Sequence, residues 1–519
     1  MKRLITAPCL LLSALASTAQ TDSRPNIIMF LVDDMGWQDT SVPFYNNERT
    51  NLNHRYHTPN MERMARLGVR FTEAYACAIS SPTRCSLMSG MNAARHRVTN
   101  WTLELDQQTD AKSDVISLPQ WNYNGIQPAN TAGQINNSTP ITSIAQVLKD
   151  NGYRTIHCGK AHFGARTTPG ADPATMGFDV NIAGGPNGAP GSYLGTKNFG
   201  EGTRFAVQGL EKYYGQDVFL TEALTQEALA AMRQSVDMKK PFYLYMSHYA
   251  VHSPYDEDKR FSPNYRGRFD KQLNDTLNDT LNEKEVRYAA LVEGMDKSLG
   301  DILDYLEQNP EVGRNTVVLF MSDNGGQGLN NARQGRANRD QNWPARAGKG
   351  SAFMGGVREP MMVYWPGVTQ GNTQNDQRVM IEDFFPTILE MASVSRYQTC
   401  QTVDGVSFVD VLKQPDVRRE RPIIWHFPNL WGETQNKDEG YGAYSSILKG
   451  DYHLIYTWET RQCRLYNVRQ DIGEQNDLAA RMPEKVKELA AELTTYLKER
   501  DAQRPSYRSS GELIPYPGE

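Results

Sequence analysis

The sequence predicts an α/β protein, with a mostly parallel sheet sandwiched by helices and a smaller α+β C-terminal domain. Three observations carry that prediction. Short continuous apolar runs end abruptly in acids or histidines, amphipathic helical patterns lie between the runs, and the patterning changes beyond a charged, proline-containing stretch near residue 415. Apolar runs without alternation read as strands buried on both faces, and strands alternating with helices imply crossover connections.

The first predicted strand, Asn26 to Val32, runs straight into Asp33-Asp34. A second, Pro241 to Met246, leads into Ser247-His248 and then His252. A third, Thr316 to Met321, leads into Ser322-Asp323-Asn324-Gly325. Between them, Ser143 to Asp150 puts Ile144, Val147 and Leu148 on one helical face and stops at Asn151-Gly152. Tyr288 to Leu306 repeats the pattern with Leu291, Met295, Leu299 and Ile302. In such sheets ligands bind beyond the carboxyl ends of the strands, where these acids and histidines fall. Leu103 to Pro140, rich in Gln, Asn and Thr, and Gly164 to Gly202, rich in Gly and Pro, read as long surface loops. Loops this long in a compact domain are more often functional than accidental.

Lys413 to Pro422 reads as a linker. Beyond it, Ile423 to His426, Tyr452 to Trp458 and Arg464 to Val468 are strand-like, and Pro483 to Arg500 is a helix with Val486, Leu489, Leu493 and Leu497 on its apolar stripe. At the other end, Met1-Lys2-Arg3 is basic, Leu4 to Ala16 is apolar, and Ser17-Thr18-Ala19 supplies small residues, so cleavage before Gln20 is expected. The apolar stretch is shorter than the ~20 residues that span a bilayer. The expected organisation is a signal peptide at 1–19, a catalytic α/β domain at 20–415 and an α+β subdomain at 416–519. No later stretch is apolar enough for a membrane span.

With 519 residues, 39% of them hydrophobic, the chain can bury one large core and a smaller one. A formal charge of −5 gives no basic footprint for nucleic acid. Removing Cys9 with the signal peptide leaves Cys77, Cys85, Cys158, Cys400 and Cys463, too sparse and odd a set for a disulfide framework. A Cys400–Cys463 pair is compatible with the spacing without being established by it.

Asp33, Asp34, Asp323 and Asn324 bring four oxygen-bearing side chains from two strand ends, a donor set that suits Ca²⁺ or Mg²⁺ rather than zinc. Asp-Asp at a strand end also occurs as a simple cap. Ser80-Ser81-Pro82-Thr83-Arg84, followed by Leu87-Met88-Ser89-Gly90, has two readings. It is a Ser-Pro turn opening a helix with Ser80 as N-cap, or it is a catalytic signature. The pentapeptide resembles the sulfatase signature of Cys or Ser, any residue, Pro, Ser or Thr, then Arg. Further segments resemble the same family in order. They are Gly159-Lys160-Ala161-His162-Phe163-Gly164, Ala250-Val251-His252-Ser253-Pro254, Gly348-Lys349-Gly350 with Gly355-Gly356-Val357-Arg358-Glu359-Pro360, Asp383 to Leu389, and Leu465-Tyr466-Asn467 with Asp471 to Leu478. The resemblance runs from about Pro25 to Leu497, and identifies the chain as a type I sulfatase of the alkaline phosphatase superfamily. Ala161 replaces the usual Trp, and Met354 stands where Glu is common.

The resemblance implies an alkaline-phosphatase-like fold and a defined chemistry. Ser80 would be oxidised to formylglycine by a cytosolic radical maturase before export, as in the bacterial serine type, and its hydrate would attack sulfur. A calcium ion would lie on Asp33, Asp34, Asp323 and Asn324, with the modified Ser80 as a further ligand. Arg84 would fix the nucleophile, and Lys160 and Lys349 would clamp sulfate oxygens. His252 would protonate the leaving oxygen, and His162 would bond the second hydroxyl. These types suit a sulfate monoester, whose transition state needs preorganised cations and an acid. His248 matches no catalytic position and reads as a structural hydrogen bond.

For substrate binding, Trp425-His426-Phe427-Pro428 resembles a segment at the substrate rim of carbohydrate sulfatases, which makes His426 a candidate sugar ligand. Trp101 follows the signature helix as a second candidate. A sulfated sugar of galactose or N-acetylgalactosamine type is the expected substrate, and the periplasm or surface of a Gram-negative bacterium the expected location. The alternatives are a two-zinc phosphatase or phosphodiesterase of the same superfamily, which the nine histidines of the chain supply poorly, and an inactive glycan-binding relative.

Overall fold

The computed structural model describes residues 24–130, 133–270, 279–327, 341–432 and 436–519. The expected signal peptide at 1–19 lies outside these residues. Nine strands form the central sheet: β1 Asn26–Val32, β2 Val69–Tyr75, β3 Arg154–Gly159, β4 Val180–Ile182, β5 Phe242–Ser247, β6 Thr316–Ser322, β7 Arg358–Tyr364, β8 Thr373–Asn375 and β9 Val379–Met380. Their order is β8-β2-β7-β6-β1-β5-β3-β4, with β9 also on β2. From β6 to β4 every pairing is parallel, whereas β7 runs antiparallel to both β6 and β2.

All of β1 is buried, with Ile27 to Val32 at 0% exposure, because helices cover both faces of the sheet. Side chains of this size each gain about 1.5–3 kcal/mol from full burial. One helical layer contains Pro59–Leu67, Leu220–Asp237 and Glu283–Gln308, packed on one another; the other contains Ser80–Ser89, Ile144–Asp150 and Phe384–Met391. The helix expected at Tyr288 to Leu306 begins earlier, at Glu283, because Asn282 and Glu285 form a reciprocal capping box. Ser143 caps Ile144–Asp150 by accepting the Gln146 N–H at 3.0 Å.

The C-terminal strands are β10 Ile423–Phe427, β11 Tyr444–Lys449, β12 Tyr452–Thr457 and β13 Gln462–Asn467, consecutively antiparallel. Strand alternation divides their side chains between two cores. Ile423, Trp425 and Phe427 join the main core, while Ile424 faces a second one with Ile447, Leu454 and Leu465. Leu489, Leu493 and Leu497 of the helix Pro483–Glu499 close that second core. The four-stranded sheet therefore packs against the main core on one face and carries this helix on the other. Strand β11 was not expected; its Tyr-Ser-Ser-Ile-Leu-Lys sequence is buried at all but its last residue and offers no clean alternation. The Cys400–Cys463 pairing that the spacing left open does not form: both are free thiols, as are Cys77, Cys85 and Cys158.

Candidate active site

The parallel register delivers the polar residues to one edge. Val32 pairs with Ser322 and Gly159 with Ser247, so Asp33, Asp323, Lys160 and His248 all follow the last paired residues of adjacent strands. Backbone bonds fix their start: Asp323 N–H donates to Val32 O at 2.9 Å, and Asp33 N–H to Ala250 O at 2.9 Å. Gly159 lies so close to β5 that a Cβ there would stand 1.9 Å from Ser247 O, and its φ is +102°. Only glycine lets the chain turn there and present Lys160. Asp34 (φ 61°) and His162 (φ 57°) hold left-handed backbone without being glycine. That conformation costs roughly 1–2 kcal/mol per residue, and such strain concentrates at functional sites.

Asp33, Asp34 and Asp323 each place a carboxylate oxygen within 4.8 Å of the other two, and all three are buried. The neighbouring Asn324 donates its amide to Asp34 Oδ1 at 2.8 Å. Three cations face these acids. Lys160 Nζ donates to both oxygens of Asp33 at 2.8 Å, Lys349 Nζ lies 2.7 Å from Asp34 Oδ1, and Arg84 donates Nε (3.0 Å) and Nη2 (2.8 Å) to Asp323 Oδ2. Three carboxylates against three cations leave the pocket close to neutral, so one added divalent ion would make it a receptor for an anion. The donors are hard oxygens with no thiol among them, which fits calcium or magnesium.

Ser80 opens the helix Ser80–Ser89 as its first residue; Ile79 is the cap, and makes no side-chain cap bond. The reading of Ser80 as N-cap is therefore corrected: its hydroxyl points into the pocket. Ser80 Oγ lies 3.1 Å from Asp33 Oδ1 and 3.2 Å from Asn324 Oδ1, and accepts from Lys160 Nζ at 3.0 Å. Arg84, one turn along the same helix, also donates Nη1 to Lys160 O (3.0 Å) and Ser247 Oγ (2.5 Å). Fully buried, it links three strand ends.

The electrostatics follow from burial and these contacts. Burial pushes Asp33 up to about 8, with Asp323 and Asp34 adding to the rise and Lys160 and Arg84 opposing it. Lys160 is driven down to about 8, chiefly by burial, against the pull of Asp33. The double 2.8 Å contact favours the ion pair between them. For Asp34, burial is outweighed by Lys349, His252 and Lys160, which hold the carboxyl well below the usual range. Burial lowers His252 to about 4, Lys349 and Lys160 lower it further, and Asp34 opposes them. Its Nδ1 is 2.7 Å from Ser253 O, so Nδ1 carries the proton in the neutral ring and Nε2, 3.6 Å from Asp34 Oδ2, is the basic atom.

A family model described as Sulfatase matches residues 25–394, well over half of the chain, and one for the C-terminal region of N-sulphoglucosamine sulphohydrolase matches residues 349–503. The chain belongs to the sulfatase family. It is a sulfuric ester hydrolase of the alkaline phosphatase superfamily. A sulfatase of Formosa agariphila is 28% identical, with 98% of this chain and 96% of the relative aligned. The N-acetylgalactosamine-6-sulfatase of Mus musculus is 29% identical over 81% of this chain and 72% of the relative. Among solved structures, Ps i-CgsB in complex with k-i-k-neocarrahexaose superposes with a TM-score of 0.67 at 23% identity, covering 93% of this chain and 94% of the other.

In this sulfatase, Asp33, Asp34, Ser80, Arg84, Lys160, His252, Asp323, Asn324 and Lys349 converge through the contacts given above. His162 reaches the pocket differently. Its Nε2 is 2.9 Å from Thr102 O and 3.2 Å from Ser81 Oγ, the neighbour of Ser80, while its buried Nδ1 has no partner among the described residues. Burial holds its pKa well below the ordinary value, with Lys160 adding. Trp101 is half-buried on the loop that supplies Thr102 O. The expectation for His426 is corrected. It is 3% exposed, with Nδ1 at 2.8 Å from Ser445 Oγ and Nε2 at 2.8 Å from Gln503 O. Both ring nitrogens are committed to the protein, which leaves no atom for a sugar. His248 bonds Ser298 Oγ through Nε2 at 2.9 Å, beneath the pocket.

Sequence reasoning missed Gln327, whose amide donates to Asp34 Oδ2 at 2.9 Å and whose carbonyl accepts from Tyr255 Oη at 3.2 Å. Its position three residues after Asn324 was the available signal. It also missed Ser247, whose hydroxyl donates to Lys160 O at 2.7 Å and accepts from Arg84. The departures Ala161 and Met354 are both buried at 0% exposure, and the Met354 N–H is accepted by Glu474 Oε2 at 2.7 Å.

Proposed function

We infer that this sulfatase releases sulfate from a sulfated sugar of galactose or N-acetylgalactosamine type, with Ser80 converted to formylglycine and calcium as its ion. The carrying observation is the convergence of Asp33, Asn324 and Lys160 on Ser80 Oγ at 3.0–3.2 Å. The 29% identity to an N-acetylgalactosamine-6-sulfatase supports the sugar class.

Asp33, Asp34, Asp323 and Asn324 would hold the ion, which when bound offsets negative charge on the ester and its attacking group. The modified residue 80, as its hydrate, supplies the attacking hydroxyl. Ser80 is 3% exposed, so its conversion has to precede folding. A cytosolic maturase acting before export through the N-terminal segment meets that requirement.

The chain's own groups divide the remaining work. Lys160 and Lys349 present ammonium groups to the sulfate oxygens, and as the ester arrives their contacts with Asp33 and Asp34 are shared with it. Arg84 holds Asp323 and the Lys160 backbone in place. His252 Nε2 is the atom that gives a proton to the departing oxygen; the anionic ester between it and Lys349 favours its protonated form. His162, oriented by Thr102 O, stands beside Ser81 and bonds the hydroxyl that does not attack.

The experiment is sulfate release from galactose, N-acetylgalactosamine and glucosamine sulfates, with mass analysis of the peptide around residue 80 from the native host. Expected are turnover of a galactose-type sulfate and replacement of CH2OH by CHO at residue 80. Phosphate release without sulfate release, or an unmodified Ser80 in fully active protein, would overturn the reading.

A further inference from the structure

The side chain of Lys160 is 1% exposed, that of Lys349 7% and that of His252 16%. The alcohol part of a bound ester therefore leaves the pocket past Lys349 and His252. A large side chain of the C-terminal segment lies against Lys349: Trp431, half-buried, with its ring centroid 5.6 Å from Lys349 Nζ.

Trp431 is held there by its surroundings. It lies against the backbone of Gly350, where a Cβ would stand 2.2 Å from Trp431 Cε3, and Gly350 has φ +88°. A side chain at 350 would push the indole away from Lys349. The segment bearing Trp431 is tied to the loop after the signature helix: Thr99 Oγ1 donates to Asn429 Oδ1 at 2.5 Å, and Ala111 N–H to Leu430 O at 2.9 Å. Trp425, Trp121 and Trp458 are buried in the core and bond their indole N–H groups to Ala76 O, Asp110 and Ser445 respectively. Trp431 is instead only half-buried, beside Lys349.

We propose that Trp431 is the platform on which the sugar ring of the sulfate ester stacks, and that it selects the galacto configuration. This rests on the reading of the enzyme as a sugar sulfatase. A sugar whose sulfate is gripped by Lys349 has its ring within a few bonds of sulfur, alongside the indole. In a galacto sugar the axial O4 points to one face, leaving the C–H groups of C3, C4 and C5 as an apolar patch on the other. That patch matches a flat aromatic surface. In a gluco sugar the hydrogen at C4 lies on the opposite face and the patch is broken. Lys349 Nζ lies over the same indole ring, whose π face attracts the ammonium. Trp431 thus takes the place at the rim that His426, five residues earlier, is too enclosed to fill.

The test compares the full-length enzyme with Trp431→Ala and Trp431→Phe. It measures kcat and KM on a galacto-configured sugar sulfate and its gluco counterpart, together with Ki for inorganic sulfate. Trp431→Ala is expected to raise KM for the galacto substrate about tenfold, to shrink the galacto preference, and to leave the Ki of sulfate within about twofold; Trp431→Phe should recover most of the loss. An equal rise in sulfate Ki would mean that Trp431 merely holds Lys349, and an unchanged KM that the sugar does not touch it. Either result overturns the platform. Wild-type turnover of sugar sulfates is read separately. If the wild type cleaves aryl sulfates alone, the substrate reading falls and the platform with it, whereas a Trp431-independent sugar sulfatase sinks the platform only.

Discussion

Glu474 grips both ends of the segment that begins at Arg346, passes through Lys349 and ends at Met354. Its Oε2 accepts the Met354 N–H at 2.7 Å, and its carbonyl accepts Arg346 Nη1 at 2.9 Å. Its Oε1 lies 2.6 Å from His453 Nδ1, and both side chains are fully buried. The C-terminal sheet thus reaches the lysine that faces Asp34. Glu474→Ala leaves the Met354 N–H and the histidine buried without their acceptor, a loss of about 1–3 kcal/mol for each group. Glu474→Gln keeps an acceptor. The expected outcome is a lower Tm for both, with kcat/KM falling on every sulfate ester for the alanine variant and partly restored for glutamine. A fall in Tm with kcat/KM intact well below the melt would confine Glu474 to stability.

Arg84 makes four donor contacts from a fully buried guanidinium, two to Asp323 and one each to Lys160 O and Ser247 Oγ. A lysine ammonium is compact and cannot span these acceptors. Arg84→Met, which strands Asp323, is expected to cost about 3–5 kcal/mol of stability, and Arg84→Lys less. Both should lose most activity. Thermal melts and kcat/KM measured together check this; an Arg84→Lys enzyme with near-normal turnover would show that positive charge alone suffices.

What the sequence revealed and what it hid follow from the range of the interactions. Asn26–Val32 and Thr316–Ser322 were legible because burial on both faces removes polar residues from a strand, and Asp33, Asp34, Asp323 and Asn324 because they follow those strands directly. Lys160, Arg84 and Lys349 came from motif resemblance; no periodicity marks them. Hidden were contacts between segments far apart in sequence. Gln327 on Asp34, Glu474 on Met354 and the enclosure of His426 by Ser445 and Gln503 depend on tertiary packing. The sequence places a histidine next to a rim motif, but only the alternation of β10 decides which way it points.

Calcium is expected to stabilise the protein. Asp33, Asp34 and Asp323 crowd three carboxylates within 4.8 Å, an arrangement the unfolded chain does not retain. An ion that binds only the folded state adds about 2.7 kcal/mol at a hundred times its Kd. Tm should rise with added Ca²⁺ after chelation, and activity should return with it. Asp323→Asn should shrink both effects. Recovery with zinc but not with calcium would contradict the assignment.

Burial lowers His248 to about 3, far below its unfolded value near 6.5. Above pH 6.5 both states carry it neutral and it contributes no pH dependence. As pH falls below 6.5 the unfolded chain takes up a proton that the folded chain refuses until about pH 3. Stability is therefore lost through that window, at roughly 1.4 kcal/mol per pH unit. His248→Gln should be less stable than wild type at pH 7.5, having lost the ring bonded to Ser298 Oγ. Between pH 7.5 and 5 that deficit should shrink by about 2 kcal/mol, read from denaturant melts. A constant deficit across the range would place the proton elsewhere.

His252 and Lys349 face different parts of the ester. His252 Nε2 faces the pocket 3.6 Å from Asp34 Oδ2, and Nδ1 is committed to Ser253 O, so proton transfer has one available ring atom. Protonating a leaving oxygen matters in proportion to that oxygen's basicity. Sugar alkoxides are strongly basic and leave poorly, whereas nitrophenolates leave unaided. His252→Ala should therefore lower kcat/KM on a sugar sulfate by about a hundredfold or more and on nitrophenyl sulfate far less. Lys349 faces charge that both ester types share, and Asp34, burial notwithstanding, keeps its ammonium protonated. Lys349→Ala should reduce the two substrates alike. The measurements are kcat/KM for both variants on both esters, with thermal melts to confirm folding. An equal loss on the two esters for His252→Ala would remove His252 from the acid role, and a selective loss on the sugar ester for Lys349→Ala would transfer that role to the lysine.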